Sequence, residues 1–155
     1  ANLGANVTLS VGAVGVPQLK YQWLKDGTPV GGNSPVLAMN GVSRVNAGNY
    51  CVTVTNMAGS TTSATAAVRV NVPQLLGSPQ LLPDGSLQLT SGDINGGQLQ
   101  PSDLPNFEAQ ASADLVNWTT LPDALSLTNG VLQLQDASRT NFTTRFYRIV
   151  EHPAP

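Results

Sequence analysis

Between Leu19 and Asn56 the chain twice alternates apolar and polar side chains, and each run carries a large aromatic. The first run reads Leu19-Lys20-Tyr21-Gln22-Trp23-Leu24 and the second Tyr50-Cys51-Val52-Thr53-Val54. A period of two places every second side chain on one face, which suits a half-buried strand and not a helix. Tyr21 and Trp23 then point inward from one strand, and Tyr50, Val52 and Val54 from the other. A sheet with one apolar face must cover it with another layer. The stretch therefore predicts a β-sandwich pinned by Trp23 and Tyr50.

The rest of the chain continues the pattern. Val7, Leu9 and Val11 alternate with polar neighbours. Asp26-Gly27 supplies the positive φ angles of a tight hairpin. Thr28 to Val30 reads as a short edge strand blunted by Pro29, and Val36 to Met39 as a third main strand. A crossing segment, 40–49, leads to the Tyr50 strand. Met57-Ala58-Gly59 turns it into a return strand, Ser60 to Val70.

Asn71-Val72-Pro73 reads as a linker, because proline cannot donate to a ladder. It divides the 155 residues into candidate domains 1–72 and 73–155. In the second, Leu75 to Leu82 is apolar and Pro83-Asp84-Gly85 turns. Leu87 and Leu89 alternate, and Ser91 to Pro105 reads as a long polar loop. Phe107, Ala109 and Ala111 alternate next. Thr119 to Leu121, Val131 to Leu134 and Arg145 to Val150 read as further strands. The fold class is all-β: two tandem antiparallel β-sandwiches.

Charge is sparse, at 10% of residues, but unevenly shared. Residues 1–72 hold Lys20, Lys25, Arg44 and Arg69 against Asp26, a net +3. Residues 73–155 hold three arginines against eight carboxylates, a net −5. Unlike halves of two molecules would attract. No basic cluster suits nucleic acid. No apolar run approaches the roughly 20 residues that cross a bilayer, so membrane insertion is not expected. One cysteine, Cys51, allows no intramolecular disulfide.

Residues 5–70 resemble an I-set immunoglobulin-like domain of the kind common in bacterial surface proteins. The resemblance rests on Trp23 within Tyr21 to Gly27, on Ala47-Gly48-Asn49-Tyr50, and on Val54-Thr55-Asn56 followed by Ala58-Gly59. The family's two bridging cysteines are replaced by Val11 and Val52. Cys51 is one residue off and faces the other way. The aspartate of the family's tyrosine corner is Asn46. The resemblance also implies a first strand before Gly4, which Ala1-Asn2-Leu3 is too short to supply; that strand is expected to be missing or badly truncated.

The second half resembles the fibronectin type III-like C-terminal module of secreted proteins in Verrucomicrobia and related bacteria. The matching residues are Ala111 to Thr120, Leu132 to Asp136, and Arg145 to Arg148. The resemblance implies a sandwich without catalytic residues at the end of an exported protein. It also implies one more strand after Tyr147, which Glu151 to Pro155 is too short and proline-rich to provide. The expected structural core of the chain comprises Val11, Trp23, Tyr50, Val52, Trp118 and Tyr147.

Reactive chemistry finds little support. His152, the lone histidine, sits in a proline-rich tail, where a frayed terminus cannot fix catalytic geometry. Cys51 has no basic neighbour in sequence to lower its pKa; a disulfide between two chains is the other use open to it. Asp93-Ile94-Asn95-Gly96-Gly97, with Asp103, offers oxygen ligands but lacks the regular spacing and closing glutamate of a calcium loop. A polar turn is the competing reading. Three Asn-x-Thr sequons, at Asn6, Asn117 and Asn141, are close to the number chance supplies. Sugar binding needs exposed aromatic platforms, and Trp118 and Phe142 are the candidates outside the expected strands. No enzyme, cofactor or metal is expected.

Two functions follow as expectations. One is a non-catalytic structural or adhesive module of an exported, extracellular or cell-surface protein, able to self-assemble head to tail by strand complementation. Its partners are other copies of itself or neighbouring domains of a longer chain. The other is a carbohydrate-binding accessory module of a secreted enzyme, with surface polysaccharide as partner.

Overall fold

The computed structural model describes residues 1–152. The chain divides into two compact units, Ala1–Val72 and Pro73–Pro155.

In the first unit, β1 (Val7–Ser10), β2 (Lys20–Lys25), β3 (Thr28–Val30), β4 (Val36–Met39), β5 (Gly48–Asn56), β6 (Gly59–Thr62) and β7 (Ala66–Val68) follow in order. β1 pairs antiparallel with β4. The other sheet runs β3-β2-β5-β6, with β7 also on β5. Asp26 (φ 47°) and Gly27 (φ 80°) close the β2–β3 hairpin as their sequence predicts. Trp23 lies opposite Val52 in the β2–β5 register. Trp23, Val52 and Val54 form one buried cluster, and Tyr50 joins Val42, Val68, Val70 and Val72 in another. Leu9 and Leu37, from the β1–β4 sheet, pack against both.

Three features differ from the sequence reading. The return strand breaks into β6 and β7 at Ser63, which still donates its N–H to Val52 O (2.9 Å) but accepts from Val52 N–H with its hydroxyl. Val42, in the crossing segment, is fully buried. The amino-terminal residues are also engaged: Asn2 bridges Asn71 in parallel, Leu3 N–H donates to Asn71 O (3.0 Å), and Asn71 N–H to Ala1 O (2.8 Å).

The second unit holds β8 (Gln74–Leu76), β9 (Gln80–Leu81), β10 (Leu87–Asp93), β11 (Phe107–Ser112), β12 (Thr119–Thr120), β13 (Leu125–Thr128), β14 (Val131–Asp136) and β15 (Phe146–Glu151). One sheet runs β13-β14-β10-β8, with β9 also on β10; the other runs β12-β11-β15. Leu89, Ala109 and Leu134 centre one buried cluster, and Leu99, Phe107 and Leu132 the other. Sequence reading missed β13. It also ended β10 at Ser91, whereas the strand runs on to Asp93, and it left Leu99 in a polar loop. Leu99 is buried there against Phe107 and Leu132, and its N–H donates to Gly130 O (3.0 Å). The expectation that no strand follows β15 falls partly on Pro153 to Pro155, which lie outside the described residues.

Candidate functional site

The residues expected to form the core occupy different settings. Trp23, 3% exposed, donates from its indole N–H to Ser34 O (2.9 Å). Tyr50 donates its hydroxyl to Asn46 O (2.9 Å), and burial raises its pKa. Val11 is half-buried and packs beside the fully buried Val52. Tyr147 packs beside Leu89, Ala109 and Leu134. Trp118 is a correction. It is half-buried and is not among the side chains packed on either cluster of the second unit. Its indole N–H caps Leu115 O (3.1 Å), and the Arg148 guanidinium lies 4.2 Å from its ring centroid.

That arrangement belongs to a polar network along the β12-β11-β15 sheet. Glu108 of β11 accepts from Thr120 of β12, from Gln110 and from His152. Those bonds, Thr120 first, pull the Glu108 carboxyl down to about 2. Arg148 Nε–H donates to Gln110 Oε1 (2.7 Å). His152 is thus fastened at 2.8 Å to Glu108, and its N–H donates to Asn106 O (2.7 Å). Expected to fray, it is tied at the edge of the sheet.

The calcium reading gains no geometry. Asp93 is buried at the end of β10 and accepts from Gln74 Nε2 (2.5 Å); Asp103 accepts from Gln100 N–H (2.7 Å). Among the described residues no group of three or more His, Cys, Asp or Glu is placed to hold a metal. Cys51 is half-buried in β5 opposite Leu24.

The site with the strongest physical demand lies beside β15. Among the described residues β15 pairs with β11 alone, so from Phe146 to Val150 its other edge has no strand beside it. Beside that edge opens a groove of about 420 Å³ within the second unit. Leu76 of β8, Leu87 and Leu89 of β10, and Phe142, Phe146 and Tyr147 line it. Leu76 is 42% exposed, Phe142 43% and Phe146 36%. Exposed apolar side chains gathered on one surface mark an interaction site more often than scattered ones do.

A buried charge cluster stands behind the groove. Asp136 accepts from Ser138 N–H and hydroxyl and from the Tyr147 hydroxyl (3.0 Å), and Arg145 Nε lies 2.9 Å from its Oδ2. Burial alone would raise the Asp136 carboxyl, but these hydrogen bonds and the Arg145 charge hold it below the ordinary value. Burial, and then Asp136, push Tyr147 up to about 12. The Arg145 guanidinium lies 3.9 Å from the Phe142 ring centroid and lines the groove. Its Nε and Nη1 are buried, and among the described residues neither meets an acceptor in hydrogen-bonding alignment. An unsatisfied buried donor costs about 1–3 kcal/mol.

Sequence reasoning gave Tyr147 a core role and Phe142 a candidate binding role, but gave none to Arg145 or Leu76 beyond their places in strands. The signal was the apolar run 75–82 split by Gly77-Ser78-Pro79, which leaves β8 too short to cover the sheet behind it.

No protein-family model matches the chain, and no curated protein matches it. Solved structures do. An amphioxus IgVJ-C2 molecule is 15% identical over 99% of both chains, with a TM-score of 0.54. A titin fragment is 17% identical over 96% of this chain and 84% of its own, also with a TM-score of 0.54. The immunoglobulin domains 1–5 of Sidekick-1 are 13% identical over 97% of this chain, with a TM-score of 0.52; the chain spans about a third of that structure (32%). At these identities the likeness is one of fold: an all-β chain built as immunoglobulin-like β-sandwiches in tandem.

Proposed function

We propose that the chain is a non-catalytic structural and adhesive module of an exported bacterial surface or extracellular protein, and that copies join head to tail by strand complementation. The observation that carries this reading is the unpaired edge of β15 beside an apolar groove. An added extended segment would supply backbone partners to the edge and side chains to the groove. The opposite net charges of residues 1–72 and 73–155 favour contact between unlike ends of two copies. The likeness to structures with several immunoglobulin domains in series supports neighbouring domains of a longer chain as further partners. The second unit is assigned to the fibronectin type III-like module on its sequence resemblance.

Light scattering on the purified chain at near-physiological salt tests the assembly. Size that grows with concentration, with elongated particles by electron microscopy, is expected. A monomer at all concentrations contradicts it.

A carbohydrate-binding accessory module is the second reading, favoured by the exposure of Phe142. With Asp114, Asn117 and Thr119 it lines a separate cavity of about 290 Å³, at the small end for a ligand site. A glycan array tests it. Binding that is lost in Phe142→Ala is expected, and no binding to any glycan contradicts it.

A further inference from the structure

We propose that the groove beside β15 receives the Val14–Val16 segment of a second copy. The proposal rests on the head-to-tail reading and names the contact.

Val14 is completely exposed (103%) and Val16 is 55% exposed, in the loop between β1 and β2. Spaced by two, they point to one side when the segment is extended. The loop is held rather than loose. Val11 and Ala13 pack into the cluster of Trp23 and Val52, and Asn56 Nδ2 donates to Val16 O (3.1 Å). The valines are therefore displayed on an anchored segment, which lowers the entropic cost of docking. No charged residue occurs from Val11 to Leu19, so the segment itself carries no ion to be stripped of water.

The groove offers what the segment needs. A cavity of about 150 Å³ lined by such side chains already takes a benzene-sized ligand, and this groove is about 420 Å³. The free edge of β15 can pair with an extended backbone. Arg145, whose Nε faces Asp136 at 2.9 Å, and Phe142, which its guanidinium covers, form the wall against which the segment would lie. Knob and groove belong to different units of one chain. Such a contact is heterologous, so each copy that docks leaves a knob and a groove for the next. The net +3 of residues 1–72 and −5 of residues 73–155 draw unlike units of two copies together at long range, while the charged side chains that line the groove itself are Arg139 and Arg145.

Two variants test the contact by sedimentation velocity, after far-UV circular dichroism has shown both to be folded. Val14→Asp with Val16→Asp removes the knob at exposed positions. Leu76→Asp blocks the groove. Each variant alone is expected to associate at least about thirtyfold more weakly than wild type, the loss typical of a buried anchor. A 1:1 mixture is expected to form a dimer that grows no further, since one copy keeps its knob and the other its groove. A knob variant that assembles like wild type overturns the contact while leaving head-to-tail assembly standing. Variants that fail to pair when mixed overturn it as well. A wild-type chain that stays monomeric overturns both.

Discussion

Tyr50, on the central strand β5, and Tyr147, on the edge strand β15, each turn a hydroxyl toward a partner within about a dozen residues in sequence, and the partners differ. Tyr50 meets a backbone carbonyl, Asn46 O, among valines. Tyr147 meets the carboxylate of Asp136, which also faces Arg145. The first unit fixes its interior with neutral bonds and packing. The second buries an ion pair and carries an open groove beside it. A neutral anchor costs little to desolvate. A buried charge is costly unless every bond is met, and Arg145 has bonds unmet among the described residues. The first unit has an opening too, of about 610 Å³ beside Val14 and Val54, but the second is the unit that sets a buried charge beside its groove.

The largest effect is expected from Trp23→Ala, which empties a fully packed site and destabilises the first unit by about 3–5 kcal/mol. Trp118→Ala, at a half-buried position outside the clusters, costs the second unit about 1 kcal/mol or less. Denaturation followed by probes in each unit checks the pair, and equal losses would break the comparison. Next comes Asp136→Ala. Leaving Arg145 buried without its counter-ion costs about 3 kcal/mol, and the Tyr147 hydroxyl, freed of the carboxylate, titrates below its present value of about 12. Ultraviolet titration of the phenols reads that change. Smaller again is the contrast between two hydroxyl deletions. Tyr147→Phe removes a bond to a charged group and costs about 1.5–3 kcal/mol; Tyr50→Phe removes a neutral one and costs about 0.5–1.5 kcal/mol.

The smallest contrast is in acid. Asp84, Glu108, Asp114 and Asp136, all in the second unit, are held below their ordinary values. Ser86 does this for Asp84, and the Asn117 backbone and side chain lead for Asp114. A carboxylate depressed by folding stabilises the fold above its unfolded pKa. That contribution is lost as pH falls through the folded value. The second unit should therefore lose melting temperature between about pH 4 and pH 2. The first, whose one acidic side chain is Asp26, should change less. Calorimetric scans across that range would show it, and parallel losses in both units would count against it.

Much of the first unit was legible because its signals are local. Alternation around Trp23 and Tyr50 and the Asp26-Gly27 turn set strands, faces and hairpin without knowledge of the rest. The second unit was harder for an equally physical reason. Leu125 and Leu127 alternate ahead of Asn129 (φ 51°) and Gly130 (φ 75°), a hairpin signal as strong as Asp26-Gly27. Polar neighbours and a four-residue length hid the strand. Leu99 packs with Phe107 and Leu132 from within a long loop, tied to Gly130 by a backbone hydrogen bond, and no periodicity announces it. The groove depends on what β8 and β9 fail to cover, and on an arginine brought to Asp136 from nine residues away. Only the assembled sheets reveal that combination.

Hydrogen–deuterium exchange across a concentration series tests the central claim most directly. The β15 amides that do not pair with β11, and those of residues 14–16, should exchange quickly in dilute protein and become protected together as concentration rises. The β2 and β5 ladder of the first unit should stay protected throughout. Exchange at β15 and at residues 14–16 that does not depend on concentration would contradict the account.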